Sequence, residues 1–421
     1  MLDIKFIREN KKKVEQAIKH RHLDLDLEKV LKLDDKRKSL LQKDEELRAE
    51  RNKIAKIGKK GVEKGKEIKD ELQKLEPNLK KVNDEFMDLM YLLPNPAAKD
   101  VPVGENEEDN IVIKKVSGIK CQVSGKNIKD HLQLGENLDI IDMNQASKVS
   151  GARFYYYKNE AVQLQFAIIN WLMEMFIKEK FVPMIPPVLE KFETARGTGH
   201  FEALYDDAYH TTEDDLVLVG TSEQSVVPYH MDQILEEKDL PKRYLAYSTC
   251  FRREAGSYGK DSKGLIRLHQ FDKLEIVSFT RPEDSDKEHE FILALEEKIM
   301  KELKIPYQVV KMCTGDLGLP AARKYDLEVW FPSQNKYREV TSCSTCTDFQ
   351  ARRLNIKYRK KDGTLAYVHT LNGTAFPFSR GLISIMENYQ QKDGSIEIPK
   401  VLHKYTGFTE IKPKHRKNNK T

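Results

Sequence analysis

CFRREAGSYGKDSKGLIRLHQFDKLEI, residues 250–276, reads as two short strands joined by a polar loop that carries three glycines or serines in its first half. In the second run the even positions Ile266, Leu268, Leu274 and Ile276 are mostly apolar, while Arg267, His269, Phe271, Lys273 and Glu275 take the odd ones. Alternation with period two places the odd set on one face. The first run sets Arg252 and Glu254 on one side, so antiparallel pairing would gather a guanidinium, carboxylates and an aromatic ring. Charges resist desolvation unless they pair with one another or with a ligand. A nucleotide would offer a phosphate to Arg252 and a ring to Phe271, although an amphipathic hairpin with one wet, charged face would show the same alternation.

FRREAGS followed by GLIRLHQFDKLE resembles motif 2 of the class II aminoacyl-tRNA synthetases, in the form carried by seryl-tRNA synthetases. The remainder of the chain can be read against that resemblance.

The 421 residues are enough for two or three domains, and 39% hydrophobic content permits a full core in at least one. The net charge of +5 resides in the first hundred residues, which hold 26 basic and 21 acidic side chains. An acidic partner would therefore meet the N-terminal part. Five cysteines make no disulfide framework, and no apolar run approaches the length of a membrane span. A reducing, cytoplasmic setting is expected.

The N-terminal third reads as a helical arm. Ile4, Ile7, Val14 and Ile18 mark a short amphipathic helix from Met1 to about His22. Ile68, Leu72, Leu75, Leu79, Val82, Phe86, Leu89 and Leu93 then alternate steps of four and three, the pattern of a coiled-coil seam. Upstream, Leu33, Leu40, Leu47 and Ile54 keep a seven-residue spacing, with Arg37, Asp44 and Arg51 on the alternate core positions, so Val30, Leu41 and Ile57 are expected to help. Between the two runs, GKKGVEKGK is the place to turn back, giving an antiparallel hairpin about 45 Å long. Pro77 inside the second run predicts a kink or break near Glu76. Such hairpins also serve as spacers and dimerisers. From Arg48 to Lys66, however, eight residues are basic and two acidic, a cluster suited to phosphates. The resemblance gives Arg48, Arg51, Lys53, Lys56, Lys59 and Lys60 to the tRNA.

PNPAAKDVPVGENEEDN, residues 94–110, reads as a linker and also resembles the linker of seryl-tRNA synthetases. The expected division is residues 1–110 for an N-terminal tRNA-binding domain, with its hairpin over about 27–93, and 111–421 for the catalytic domain. A basic tail closes the chain over about 411–421.

In the body, a possible strand at Ile111–Val116 precedes a helical pattern from Glu160 to Phe181 that leads into FVPMIPPVLE. In class II synthetases this is motif 1, and the resemblance puts Pro187, Val188 and Leu189 at a homodimer interface. VLVGTSEQS could be a plain helix start. The resemblance instead makes Thr221, Ser222 and Glu223 a serine-binding loop, joined by Arg252, Glu275, Asn372 and Thr374. Cys343 and Cys346 have half the spacing of a zinc site, but the other two ligands are missing from the sequence. In HTLNGTAFPFSRGLISIMENYQ, Arg380 opens an apolar helix where the helix dipole favours an anion, a conflict that an anionic ligand resolves. This stretch resembles motif 3, with FPFS in place of the small residues often found there.

The resemblance implies an α+β chain: an antiparallel helical arm, then a mainly antiparallel sheet flanked by helices. By the same resemblance ATP would meet Arg252, Arg253, Glu254, Leu268, His269, Gln270, Phe271, Glu339, Val340, Thr341, Ser342 and Arg380. Glu339 and Ser342 would hold Mg2+, for which oxygen ligands suit better than thiols. Arg252, Glu254 and Arg380 would be catalytic. The implied reaction is ATP-dependent formation of seryl-adenylate, then transfer to tRNA(Ser), with tRNA(Sec) open as a second acceptor. The sequence carries no Walker-type phosphate loop and no dinucleotide fingerprint. A binding paralogue that had lost the chemistry would show degraded motifs. A ligase acting on a carrier protein would have no use for a long basic hairpin.

Overall fold

The structure, a computed structural model, describes residues 1–56, 61–200, 205–255 and 264–413. They fall into two units, Met1–Pro96 and Ala97–Thr421.

In the first unit the expected single N-terminal helix is two, Ile4–Glu9 and Lys11–His20. They are separated at Asn10, which leaves helical geometry and donates its side-chain amide to the Phe6 carbonyl at 3.0 Å. Helix α1 (Leu27–Ala55) starts where Asp26 accepts the Glu28 N–H at 2.9 Å, and α2 (Val62–Leu92) runs back beside it. Their seam buries Leu47 and Ile54 against Ile68, Leu72 and Leu75. Near the turn, a Cβ on Gly61 would stand 2.6 Å from the Ile54 side chain, so the helices approach there only because that residue is glycine. Ile57, expected to help the seam, lies outside the described residues.

The heptad pattern holds in part: Leu33, Leu40 and Leu79 are half-buried, and Met90 is buried where Leu89 is half-buried, as a 3.6-residue helix gains on a 3.5-residue repeat. Of the kink or break expected near Glu76, no break forms, since α2 is continuous through Pro77. Proline removes one hydrogen bond, while buried Leu72, Leu75, Val82 and Phe86 hold the helix on both sides. Asp34 is also buried within α1, meeting Arg8 at 2.7 Å, Arg37 at 3.1 Å and Lys38 at 2.8 Å.

The second unit is built on one eight-stranded sheet. In chain order its strands are β1 (Ile111–Val116), β2 (Val182–Met184), β3 (Lys242–Phe251), β4 (Gln270–Thr280), β5 (Tyr307–Lys311), β6 (Arg323–Phe331), β7 (Lys336–Thr347) and β8 (His369–Pro377). Their order across the sheet is β1-β5-β6-β7-β8-β4-β3-β2, antiparallel throughout except where β2 runs parallel to β3. Helices α3 (Glu160–Lys178), α4 (Ser285–Glu302) and α5 (Arg380–Asn388) bury Leu172, Phe176, Ile292, Ile299 and Ile383 in the main core with residues of the sheet.

The strands of the 250–276 stretch lie farther out than the sequence suggests. The last β3–β4 pair is Phe251 with Gln270, so Arg252–Glu254 and Ile266–His269 extend past the ladder. Glu254 adopts a positive φ of 53°, a conformation that ends a strand. The face that an amphipathic hairpin would leave wet is dry from Phe271 to Glu275, and both faces of β4 are buried through most of its length.

Candidate active site

The end of β3 delivers Arg252 to the mouth of the sheet. Its backbone N–H donates to the His269 carbonyl at 3.0 Å, its Nε donates to the Gly220 carbonyl at 3.3 Å, and its guanidinium carbon lies 5.4 Å from the centre of the Phe271 ring. Two hollows meet at this arginine. One, of about 480 Å³, is lined by Thr221, Glu223, Glu275 and Asn372 among others. The second, of about 100 Å³, is lined by Glu254, Phe271, Glu339, Thr374 and Arg380 among others. Arg252, Lys273 and Ser342 line both.

The larger hollow has a fixed polar wall. The short helix Glu223–Val226 aims its first carboxylate inward, and three other elements donate to it. Gln350 and Asn372 each donate an amide to Oε1 at 2.8 Å, and the His200 ring donates to Oε2 at 3.1 Å. Gln350 is itself held by the Thr370 hydroxyl at 2.6 Å and by the Thr198 carbonyl at 2.9 Å. Burial pushes the Glu223 carboxyl up, but His200, Gln350 and Lys273 outweigh it and hold the group below its ordinary range. Glu275 differs: burial dominates and raises it, with Lys273 at 2.6 Å and the Thr374 hydroxyl at 3.1 Å opposing. The site thus presents two enclosed carboxylates to a small ligand, one of them firmly ionised. Such a surface fits a group that carries both a hydrogen-bond donor and a positive charge.

The smaller hollow is arranged for an anion and a flat ring. Arg380 opens α5 and donates from Nη1 to the carboxylate and the carbonyl of Glu339, each at 3.0 Å, and from Nε to the Ile266 carbonyl at 3.2 Å. Desolvation at the hollow pushes the half-exposed Glu339 carboxyl up, but Arg380 and Lys324 hold it low. Glu254 accepts from Arg267 at 2.9 Å. The FPFS stretch resolves by alternation: Phe376 and Phe378 turn into the core, leaving Pro377 and Ser379 on the cavity wall.

Of the residues expected around serine, Thr221, Glu223, Arg252, Glu275 and Asn372 line the larger hollow, and Thr374 reaches Glu275 from the smaller. Ser222 is buried and lines neither, and its hydroxyl meets no hydrogen-bond partner among the described residues. Of those expected around ATP, Arg252, Glu254, Leu268, Phe271, Glu339, Val340, Ser342 and Arg380 line the smaller hollow. Four others are not brought there. Arg253 donates to the Asp206 carbonyl at 3.1 Å, and His269 packs on Phe154 with ring centres 5.3 Å apart. Gln270 faces a separate hollow beside Tyr157 and Asp272, and Thr341 is turned under the sheet to donate to Glu296 at 2.8 Å. Strand alternation separates Gln270 from Phe271 and Thr341 from Ser342. Cys343 lies in the main core while Cys346 lines the larger hollow, so the two thiols do not converge.

Several contributors were not named as site residues from the sequence. His200, Gln350 and Lys273 are examples, and so is a buried pair behind the smaller hollow. There His131 Nε2 accepts the Leu265 N–H at 3.1 Å, and its Nδ1 donates to Glu387 of α5, also at 3.1 Å. This couples the end of the 250–276 loop to the helix that Arg380 begins. RGTGH, residues 196–200, is the stretch from which His200 could have been drawn, about twenty residues before Thr221.

In the first unit, Arg51, Lys53 and Lys56 are exposed near the end of α1. Arg48 is half engaged, meeting Asp44 at 2.6 Å and Glu76 at 2.8 Å. Lys59 and Lys60 lie outside the described residues. Among the described residues no helix is long and apolar enough to cross a membrane.

Residues 1–97 match the seryl-tRNA synthetase N-terminal domain, and residues 205–389 match the tRNA synthetase class II core domain (G, H, P, S and T). A serine–tRNA ligase of Dictyoglomus thermophilum is 48% identical over 427 residues, covering 98% of this chain and 100% of that one. Among solved structures, seryl-tRNA synthetase from Pyrococcus horikoshii complexed with ATP superposes with a TM-score of 0.88 at 41% identity, over 98% of this chain and 100% of the other. A cytoplasmic serine–tRNA ligase from Naegleria fowleri in complex with AMP gives 0.85 at 31% identity, over 98% and 99%. With both domains matched and the relatives aligned end to end, the chain belongs to the seryl-tRNA synthetases, a class II aminoacyl-tRNA synthetase family.

Proposed function

We propose that this chain activates L-serine with ATP and transfers it to the 3′ end of tRNA(Ser). The observation that carries this reading is Arg252 on the shared wall of two unlike hollows, one walled by Glu223, Glu275 and Asn372, the other by Phe271, Glu339 and Arg380. Serine held by the first would turn its carboxylate toward Arg252, with its ammonium on Glu275. ATP in the second would lay its adenine on Phe271, with Glu254 at the base edge and its outer phosphates toward Arg380. A carboxylate oxygen then attacks the α-phosphorus, a P–O bond forms as the bond to the bridging oxygen breaks, and pyrophosphate leaves. The carboxylate is already ionised and needs no general base, so the work of the site is orientation and charge stabilisation. In the second half a hydroxyl of the terminal adenosine attacks the serine carbonyl carbon, and AMP leaves.

The donor set suits Mg2+. Glu339 and Ser342 supply hard oxygen atoms beside the smaller hollow, and this ion commonly takes one or two protein ligands with phosphate and water completing its shell. When bound there, the ion would neutralise charge on the phosphates.

Exposed Arg51, Lys53 and Lys56, with Lys59 and Lys60, are proposed to meet the tRNA backbone. A homodimer fits the apolar surface left by Phe166, Ile177, Val182, Ile185 and Leu189 around the motif 1 segment, where Ile185 is 83% exposed. All five cysteines are free thiols, as a reducing cytoplasm would keep them. Charging assays with tRNA(Ser) and tRNA(Sec) transcripts test the acceptor range. Charging of tRNA(Ser) is the expected result, and failure with both would refute the transfer half of the proposal.

A further inference from the structure

Lys273 has no part in the chemistry above, yet it is one of three residues on the wall common to both hollows. It stands on β4 between Phe271 and Glu275, and its side chain is only 8% exposed. A lysine is rarely enclosed to that degree without a demanding partner. Its Nζ lies 2.6 Å from Glu275 Oε2, and the Thr374 hydroxyl donates to the same oxygen at 3.1 Å. Among the described residues both donors therefore occupy Oε2, and Oε1 is the oxygen they leave for a ligand.

Apart from Lys273 and Arg252, the titratable groups around Glu275 are acidic. Glu223 faces it across the larger hollow, and Glu296 of α4 approaches from beneath the sheet. On β3, Cys250 lies nearby. Arg252 shares the cavity wall. We infer that Lys273 is a positioning residue, which holds the Glu275 carboxylate by its Oε2 and leaves its Oε1 available to the amino group of serine. This rests on the assignment of Glu275 to the serine amine. Burial raises the Glu275 carboxyl, and Lys273 is the largest influence opposing it. Without the lysine the carboxyl takes up a proton. Binding the serine ammonium then requires that proton to leave for solvent, so serine affinity becomes dependent on pH.

The test is serine-dependent pyrophosphate exchange from about pH 6.5 to 8.5 on the full chain and on K273M, K273Q, K273R and E275Q, with ATP binding and thermal stability measured alongside. In K273M and K273Q the serine KM should rise about tenfold or more near neutrality, with the ATP KM within about twofold. It should then fall by about tenfold per pH unit until the carboxyl is ionised. K273R should restore the flat dependence of the parent. E275Q should raise the serine KM at every pH without recovery. A serine KM in folded K273M or K273Q that does not change with pH overturns the inference, and so does a parallel rise of the ATP KM. An unchanged serine KM in E275Q instead removes the assignment of Glu275 beneath it.

Discussion

Replacing Glu223 with glutamine preserves the shape of the serine wall and deletes its charge. In the parent the carboxylate receives Gln350 and Asn372 on one oxygen and His200 on the other, at 2.8, 2.8 and 3.1 Å. A glutamine oxygen can still serve the two amides, but its NH2 group then faces a histidine that was donating. One charge-assisted bond is lost and the other two are weakened to neutral ones. Hydrogen bonds to charged groups contribute about 1.5–3 kcal/mol each, so loss of one such bond between serine and the Glu223 carboxylate corresponds to roughly 10- to 150-fold in kcat/KM for serine. Glu223 bonds to His200, Gln350 and Asn372, none of which lines the smaller hollow, and the ATP KM should stay within about twofold. Preference for serine over alanine should fall as well, because rejection of the smaller analogue relies on buried polar groups that it leaves unpaired. Pyrophosphate exchange with each amino acid measures all three quantities. An unchanged kcat/KM for serine, or an equal loss for ATP, would refute the reasoning.

Arg252→Ala should abolish adenylate formation while tRNA binding, followed by filter binding or anisotropy, survives. Simultaneous loss of Arg51, Lys53 and Lys56 should weaken tRNA binding and lower the slope of log K against log salt by about 2–3, at about 0.7–0.9 per phosphate contact, with exchange unaffected. Asp34→Ala should cost about 1–3 kcal/mol, read from thermal unfolding by circular dichroism, because Arg8, Arg37 and Lys38 lose their shared partner but can reach water. Burial alone would raise Asp34, but Lys38, Arg8 and Arg37 hold it below its ordinary value. Its contribution is therefore complete above about pH 4 and fades as pH falls through the lower folded value, an acid dependence that the Asp34→Ala variant should lack.

Much of this arrangement was legible in short-range pattern. The 3-4 spacing from Ile68 onward exposed the seam of the arm, and Arg380 at a helix start signalled an anion site. Period two placed Phe271, Lys273 and Glu275 on one face. What local pattern could not supply was distance along the chain. Nothing near Glu223 announces that Gln350 and Asn372 will donate to it, since those contacts exist only after β8 and the helix Phe349–Arg353 have packed. The same holds for His131 and Glu387, separated by 256 residues. Strand ends were misjudged because the alternation continues through Arg252 and His269 after the ladder has stopped. Pro77 shows the opposite sense: of the kink or break that local chemistry suggests, no break forms, and the buried residues on either side keep the helix continuous. The wet-face alternative for the 250–276 stretch failed because neighbouring elements, invisible in the stretch itself, enclose its charged side.

Serine-dependent exchange of labelled pyrophosphate into ATP tests the central claim most directly, with threonine, alanine and glycine run in parallel. The account predicts exchange with serine and none with the other three. No exchange with any amino acid, from protein shown to be folded, would contradict it.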